Sequence, residues 1–229
     1  MNGSDLAGSR VPSDDENAEV DSLSIQDIAS SERLVVLEKS DQLIELQTIL
    51  KDRSTDHSHF VFCADRLMRL VIEEGLNLLP YTEKTVMTPK HCPYHGIQFA
   101  RGNCGVALCR SGEAMEIALR QCCRSIRICK MLLGDEQRVL YARLTSDIAT
   151  RRCLLLYPIL TTGLTALKAV ATLIADSDVL EENIYLISLF ASPKSIRTLR
   201  DRYPDMCIIT SEITNEIIHN FATKYFGTD

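Results

Sequence analysis

The chain has 229 residues, 45% hydrophobic and 24% charged, with a formal net charge of -6. This is enough to bury one substantial core, or two at most. The acidic excess of Met1 to Lys39 equals the whole net charge, so the remainder is close to neutral, and nonspecific binding to nucleic acid is not favoured by bulk charge.

Residues 1–39 are rich in Ser, Asp and Glu without a sustained apolar period, which predicts a disordered acidic tail ahead of a single domain over 40–229. Helical periodicity is predicted from Asp41, a candidate N-cap, to Lys51, and again from Phe60 to Leu79. Short strands are expected around Lys84 to Met87 and Gly96 to Phe99. Between them His91, Cys92 and His95 have the spacing of half a zinc site. No second Cys or His pair stands at a partner spacing, so a solvated loop is expected there and no metal. The nine cysteines are odd in number, no secretory signal precedes them, and Cys104, Cys109, Cys129, Cys153 and Cys207 lie in apolar runs. Buried thiols in a reducing compartment follow.

From Gly105 onward, buried strands alternate with helices. GVALC leads through RSG into AMEIALRQCC; SIRICKMLL and RVLYARL form a strand pair about the turn GDEQ. CLLLY precedes LKAVATLIA, NIYLISLF precedes a helix near Ser195 to Tyr203, and MCIIT closes the series. This order predicts an α/β fold with a mostly parallel sheet covered on both faces. Between Cys153 and Ala175 only Lys168 is charged, nearly the length of a membrane span of about 20 residues. Pro158, Gly163 and the threonines Thr161, Thr162 and Thr165 interrupt it where a strand would hand over to a helix, so no membrane segment is expected.

Ligands of such sheets bind beyond the C-terminal strand ends. Arg110 to Gly112 follows one strand and Tyr157 to Thr165 another, so both loops belong at that edge. In YPILTTGLT the threonines supply hydroxyls, Gly163 permits close backbone approach, and the next helix presents free N–H groups at its positive end. Phosphate binding and a ligand-free, well-capped αβ connection both fit this spacing. Neither a P-loop nor a G-x-G-x-x-G motif is present, which argues against an NTP-hydrolysing kinase.

FCADRLMRLVIEEGLNLLP, RGNCGVALCRSGEAMEIALR, YPILTTGLT and the terminal YFGTD together resemble the uracil phosphoribosyltransferase family, above all its animal homologues. The likeness runs from about Asp41 to Asp229. The phosphoribosyltransferase-like part of uridine-cytidine kinase-like proteins is a more distant relative. The resemblance implies a type I phosphoribosyltransferase fold with a small hood, and transfer of phosphoribosyl from 5-phosphoribosyl-1-diphosphate (PRPP) to uracil, giving UMP and diphosphate in pyrimidine salvage. It further implies that Tyr157, Pro158, Ile159, Leu160, Thr161, Thr162, Gly163, Leu164 and Thr165 form the PRPP loop. Arg110 would meet the diphosphate, with Mg2+ carried by PRPP. His57, Arg66, Ala100, Arg101, Gly102, Asn103, Arg127 and Arg151 match positions at which some members bind GTP, an activator, at a subunit interface. His219, Asn220 and Phe221 occupy the uracil-recognition positions. A dimer or tetramer in the cytoplasm, with the nucleus as a second location, is also implied.

Two departures qualify the resemblance. Active microbial members carry Asp at the position of Tyr157, where the carboxylate receives the ribose hydroxyls; a phenol offers one hydroxyl and no charge. The Gly-rich uracil loop is here TNEIIHNFATKYFGTD, with Asn220 and Thr223 where acidic residues are usual and Ala222 in place of glycine. Three readings therefore stand: a transferase of weakened or altered base specificity, a noncatalytic nucleotide-binding regulator, and a structural subunit of a hetero-oligomer.

Overall fold

The computed structural model describes residues 33–134 and 138–228. The chain begins with strand β1 (Leu34–Val36), helix α1 (Asp41–Lys51) and helix α2 (His57–Asn77), followed by the hairpin β2 (Tyr81–Met87) and β3 (Pro93–Phe99). Strand β4 (Asn103–Cys109) leads through a short 3-10 turn into α3 (Ala114–Cys122), and β5 (Arg127–Leu133) pairs antiparallel with β6 (Val139–Arg143). Then come β7 (Arg152–Leu156), the two-residue β8 (Ile159–Leu160), α4 (Leu164–Ser177), β9 (Ile184–Ala191), α5 (Pro193–Arg202), β10 (Cys207–Ile213) and α6 (Phe221–Phe226).

The main sheet runs β1-β10-β9-β7-β4-β5-β6, with β8 alongside β9. Its pairs are parallel except β5 with β6. Period-2 alternation sends successive side chains to opposite layers. On one face Leu154, Leu156, Ile187 and Ile209 pack with α1, α2, α3 and Phe221. On the other Cys153, Leu155, Leu186 and Ile208 pack with Ala166, Val170 and Leu173 of α4 and Ile196 and Leu199 of α5. Both faces are dry, which is why these strands read as continuous apolar runs.

The structure corrects three local expectations. Residues 34–36 of the expected tail form the edge strand β1, in register Leu34 with Ile208 and Val36 with Thr210; the tail before residue 33 lies outside the described residues. LVV is apolar but too short to show a period, so its pairing is decided by the open edge of β10. The N-cap of α1 is Ser40, whose Oγ accepts from Leu43 N at 3.2 Å, and Asp41 is the first helical residue. Helix α2 begins earlier than expected because Asp56 caps it, its Oδ1 accepting from His59 N at 3.0 Å. The apolar stretch from Cys153 to Ala175 is divided among β7, β8 and α4, and no described helix is long and apolar enough to cross a membrane.

Candidate functional site

The C-terminal ends of β4 and β7 open onto one cavity of about 710 Å³, lined by Cys109, Arg110, Ser111, Leu133, Gly134, Tyr157, Thr165, Ala222, Thr223 and Thr228. Arg110 follows a cis Cys109–Arg110 peptide, is exposed, and has no ion-pair partner among the described residues. The turn after it is held close to β7: a Cβ on Gly112 would lie 2.4 Å from the Leu156 carbonyl oxygen. Lys130 Nζ lies 2.7 Å from Glu113 Oε1 and 3.1 Å from Glu116 Oε1, so both carboxylates have a cation and Lys130 is held protonated, above the usual lysine range, first by Glu113 and then by Glu116. Burial, then Glu113, pushes the Cys109 thiol up to about 11, which leaves it a poor nucleophile at neutral pH.

Backbone hydrogen bonds fix the loop from Tyr157 to Thr165. Pro158 O accepts from Leu189 N at 2.8 Å and from Ser188 Oγ at 3.0 Å; Leu160 O accepts from Ser192 N at 2.8 Å and Ser195 Oγ at 3.1 Å; Thr161 O accepts from Ser192 Oγ. These carbonyls are therefore engaged by β9 and the turn into α5. Gly163 takes φ 78°, and a Cβ there would stand 3.0 Å from Ser195 O, so any side chain would be both strained in its backbone and crowded by Ser195. Helix α4 starts at Leu164 without a side-chain cap from Gly163; Thr162 Oγ1 accepts from Leu164 N at a long 3.4 Å. The first-turn amides and the exposed hydroxyls of Thr161 and Thr162 are what this loop offers an anion. Tyr157 and Thr165 reach the cavity wall itself, Pro158 and Leu160 are buried supports, and Ile159 is half-buried.

The residues expected at base recognition are divided. His219 and Asn220 line a different cavity, of about 590 Å³, beside Lys51, Asp52 and Arg53 at the end of α1. Phe221, expected to cover a base, is 2% exposed, with its ring 5.6 Å from Phe60 and 5.9 Å from Tyr225. It is a core side chain. Its neighbours Ala222 and Thr223, with Thr228, face Tyr157 across the first cavity instead. The available signal was the Phe221 to Tyr225 spacing of four, an apolar helical stripe; Tyr225 Oη donates to Asp65 Oδ1 at 2.7 Å and fixes that stripe on α2.

Of the expected GTP residues, Ala100, Arg101, Gly102, Asn103, Arg127 and Arg151 gather around a third cavity of about 720 Å³ with Cys123, Ser125 and Ile126. His57 and Arg66 sit elsewhere on α2. His57 Nε2 lies 3.2 Å from Tyr225 O, and Arg66 Nη2 donates to Gln42 Oε1 at 2.8 Å. At the hairpin tip Cys92 Sγ bonds Lys90 O and His95 Nδ1 lies 2.9 Å from Thr85 Oγ1; no group of three metal-ligating side chains occurs among the described residues.

The family model for uracil phosphoribosyltransferase matches residues 36–227. The chain belongs to this family. It is 49% identical over 202 residues to the uracil phosphoribosyltransferase homolog of Danio rerio, covering 86% of this chain and 78% of that one. Identity to the Homo sapiens homolog is 48%, over 86% of this chain and 65% of that protein's length. The uracil phosphoribosyltransferase of Dictyostelium discoideum is 43% identical, over 86% of this chain and 98% of its own. Among solved structures, the AQ2163 protein from Aquifex aeolicus superposes with a TM-score of 0.70 at 14% identity, covering 86% of this chain and 99% of its own, a likeness of fold. The family's α/β architecture is thus present, with β2 and β3 as a separate small sheet fitting the expected hood.

Proposed function

We propose that this family member transfers phosphoribosyl from PRPP to uracil or a related base, with activity weakened by its altered ribose and base contacts. The observation that carries the reading is the convergence of Arg110, Tyr157 and Thr165 on one cavity with Thr223 and Thr228 opposite. PRPP would lie with its 5′-phosphate at the uncapped start of α4 and its diphosphate toward Arg110, whose planar fork suits phosphate oxygens. The base nitrogen gives up its proton to solvent and attacks ribose C1′ as the bond to diphosphate breaks, and Arg110 stabilises the charge leaving on the diphosphate. Tyr157 donates or accepts one hydrogen bond at the ribose and cannot balance positive charge developing there. No carboxylate lines this cavity among the described residues, so Mg2+ fits only as a companion held by PRPP's own oxygens.

The third cavity supports GTP as an activator, through Arg127, Arg151 and the backbone of 100–103. A homo-oligomer is supported by the β2–β3 hairpin: Tyr81, Met87, Tyr94 and Ile97 are more than half exposed on a two-stranded ribbon, which is marginal when it stands alone in water. A second copy would cover it.

The test is diphosphate release and UMP formation by the purified protein with PRPP, Mg2+, a panel of bases, and GTP present or omitted. Low, measurable turnover is expected, abolished by Arg110→Ala and raised about tenfold or more by Tyr157→Asp. The noncatalytic reading, favoured by Tyr157 and by the burial of Phe221, prevails if a folded, PRPP-binding protein releases no diphosphate even with Tyr157→Asp and a restored Gly-rich base loop.

A further inference from the structure

The arginine pair of the third cavity is already occupied by an anion of the chain's own. Asp147 lies on the connection between β6 and β7, four residues before Arg151. Arg151 donates to it as a two-pronged fork, Nε to Oδ1 at 2.9 Å and Nη2 to Oδ2 at 2.5 Å. Arg127 Nη1 approaches both oxygens at 3.3 Å. Asp147 itself is not part of the cavity wall, whereas both arginines are. The same two arginines therefore bind a carboxylate and line an open nucleotide-sized space.

We propose that Asp147 is an internal competitor for the phosphates of the nucleotide bound in this cavity, so that loading exchanges one anion for another on Arg127 and Arg151. This rests on the GTP reading given above. A guanidinium fork fits a carboxylate and a phosphate with the same geometry, so a ligand phosphate and Asp147 seek the same N–H groups. Asp147 does not yield by protonation: its bond to Arg151 holds the carboxyl well below the usual carboxylate range, so it stays ionised at any physiological pH. The two arginines differ in freedom. The Arg151 side chain is 15% exposed and held in the fork, while that of Arg127 is 59% exposed on longer bonds. Arg127 is thus the group that turns to the ligand first, and the charge of Asp147 remaining beside the triphosphate lowers affinity.

The opposite role, in which Asp147 holds the arginines ready for the ligand, makes the opposite prediction. Titration calorimetry of the full chain with GTP and with inorganic triphosphate separates them. Asp147→Asn keeps the shape and removes the charge, and it should tighten both ligands about tenfold; Asp147→Glu should stay near the wild type. Affinity unchanged or weakened in Asp147→Asn, with the wild type binding, overturns the competitor and leaves the GTP site standing. Failure of both proteins to bind either ligand at millimolar concentration overturns the cavity's GTP reading and the competitor together. A measurement on the wild type covers the case in which the variant does not fold: on GTP saturation the 13C resonance of the Asp147 side-chain carboxylate should move as its arginine partners leave. A stationary resonance in the nucleotide-bound protein overturns the proposal.

Discussion

The two walls of the main cavity are built differently. On one side, Tyr157 to Thr165 is bound through its own carbonyls to β9 and to the turn into α5, with Gly163 in the left-handed region at the contact. On the other side, the segment after β10 is tied to its surroundings by few backbone bonds, such as Thr214 N to Ala191 O, and by side chains, the Phe221 ring against Phe60 and Tyr225 Oη on Asp65. One wall is specified by backbone conformation and the other by where a short helix docks. A loop of the first kind keeps its anion-facing shape while side chains around it change. A segment of the second kind can turn a side chain from ligand to core by a small shift of the helix.

The strongest way to break this contrast is at Phe221. If it is a core residue, Phe221→Ala should cost about 3–5 kcal/mol in urea unfolding. A near-neutral stability with a selective loss of base affinity would return Phe221 to the site. Next is Gly163→Ala, which adds a side chain at positive φ against Ser195. A loss of about 1–3 kcal/mol is expected, with ribose 5-phosphate binding reduced in calorimetry, while uracil binding follows only through the lost phosphoribosyl partner.

Buried thiols sharpen the contrast from another side. Burial pushes Cys207 up to about 11. Cys104 is drawn down by Cys129, but Cys153 and burial outweigh this and push it up to about 12. Both folded values lie above that of the unfolded thiol, so their contribution is complete below about pH 8.5 and is lost as pH rises from there through 11 and 12. Stability should fall by about 1.4 kcal/mol per pH unit for each such thiol, measured by urea unfolding between pH 8 and 10.5. In Cys207→Ala the slope should be shallower by one thiol. The exposed Cys92 should react at once with a thiol reagent at pH 8, while Cys104 and Cys207 wait for unfolding. The smallest effect belongs to His219→Ala. An exposed residue outside the main cavity should change stability by less than about 0.5 kcal/mol and leave diphosphate release unchanged; a large loss of uracil affinity would place it at the base after all.

Much of the sheet was readable because its strands are buried on both faces and its loops carry Gly, Pro and Thr where the chain must turn. CLLLY and NIYLISLF appear as β7 and β9, and Arg110 and Tyr157 meet at the strand ends as their positions after β4 and β7 require. LVV was hidden because the four apolar residues Leu34 to Leu37, set between Glu32–Arg33 and Glu38–Lys39, are too few to show a period, and their strand is made by pairing with β10. The placement of Phe221 was hidden by its position in the motif that the resemblance made functional, although its spacing to Tyr225 was that of a helix face.

The sequence by itself determined the alternation of buried strands and helices, the hydroxyl-rich loop with its glycine at Tyr157 to Thr165, and a phenol rather than a carboxylate at the head of that loop, since these depend on residue type and local conformation. Only the tertiary structure decided that Phe221 is core, that Ala222, Thr223 and Thr228 face Tyr157, and that Asp147 stands on the arginines of the third cavity. Each of these depends on which side chains from distant segments share a space, and helix docking and charge pairing across the fold settle that where no local pattern does.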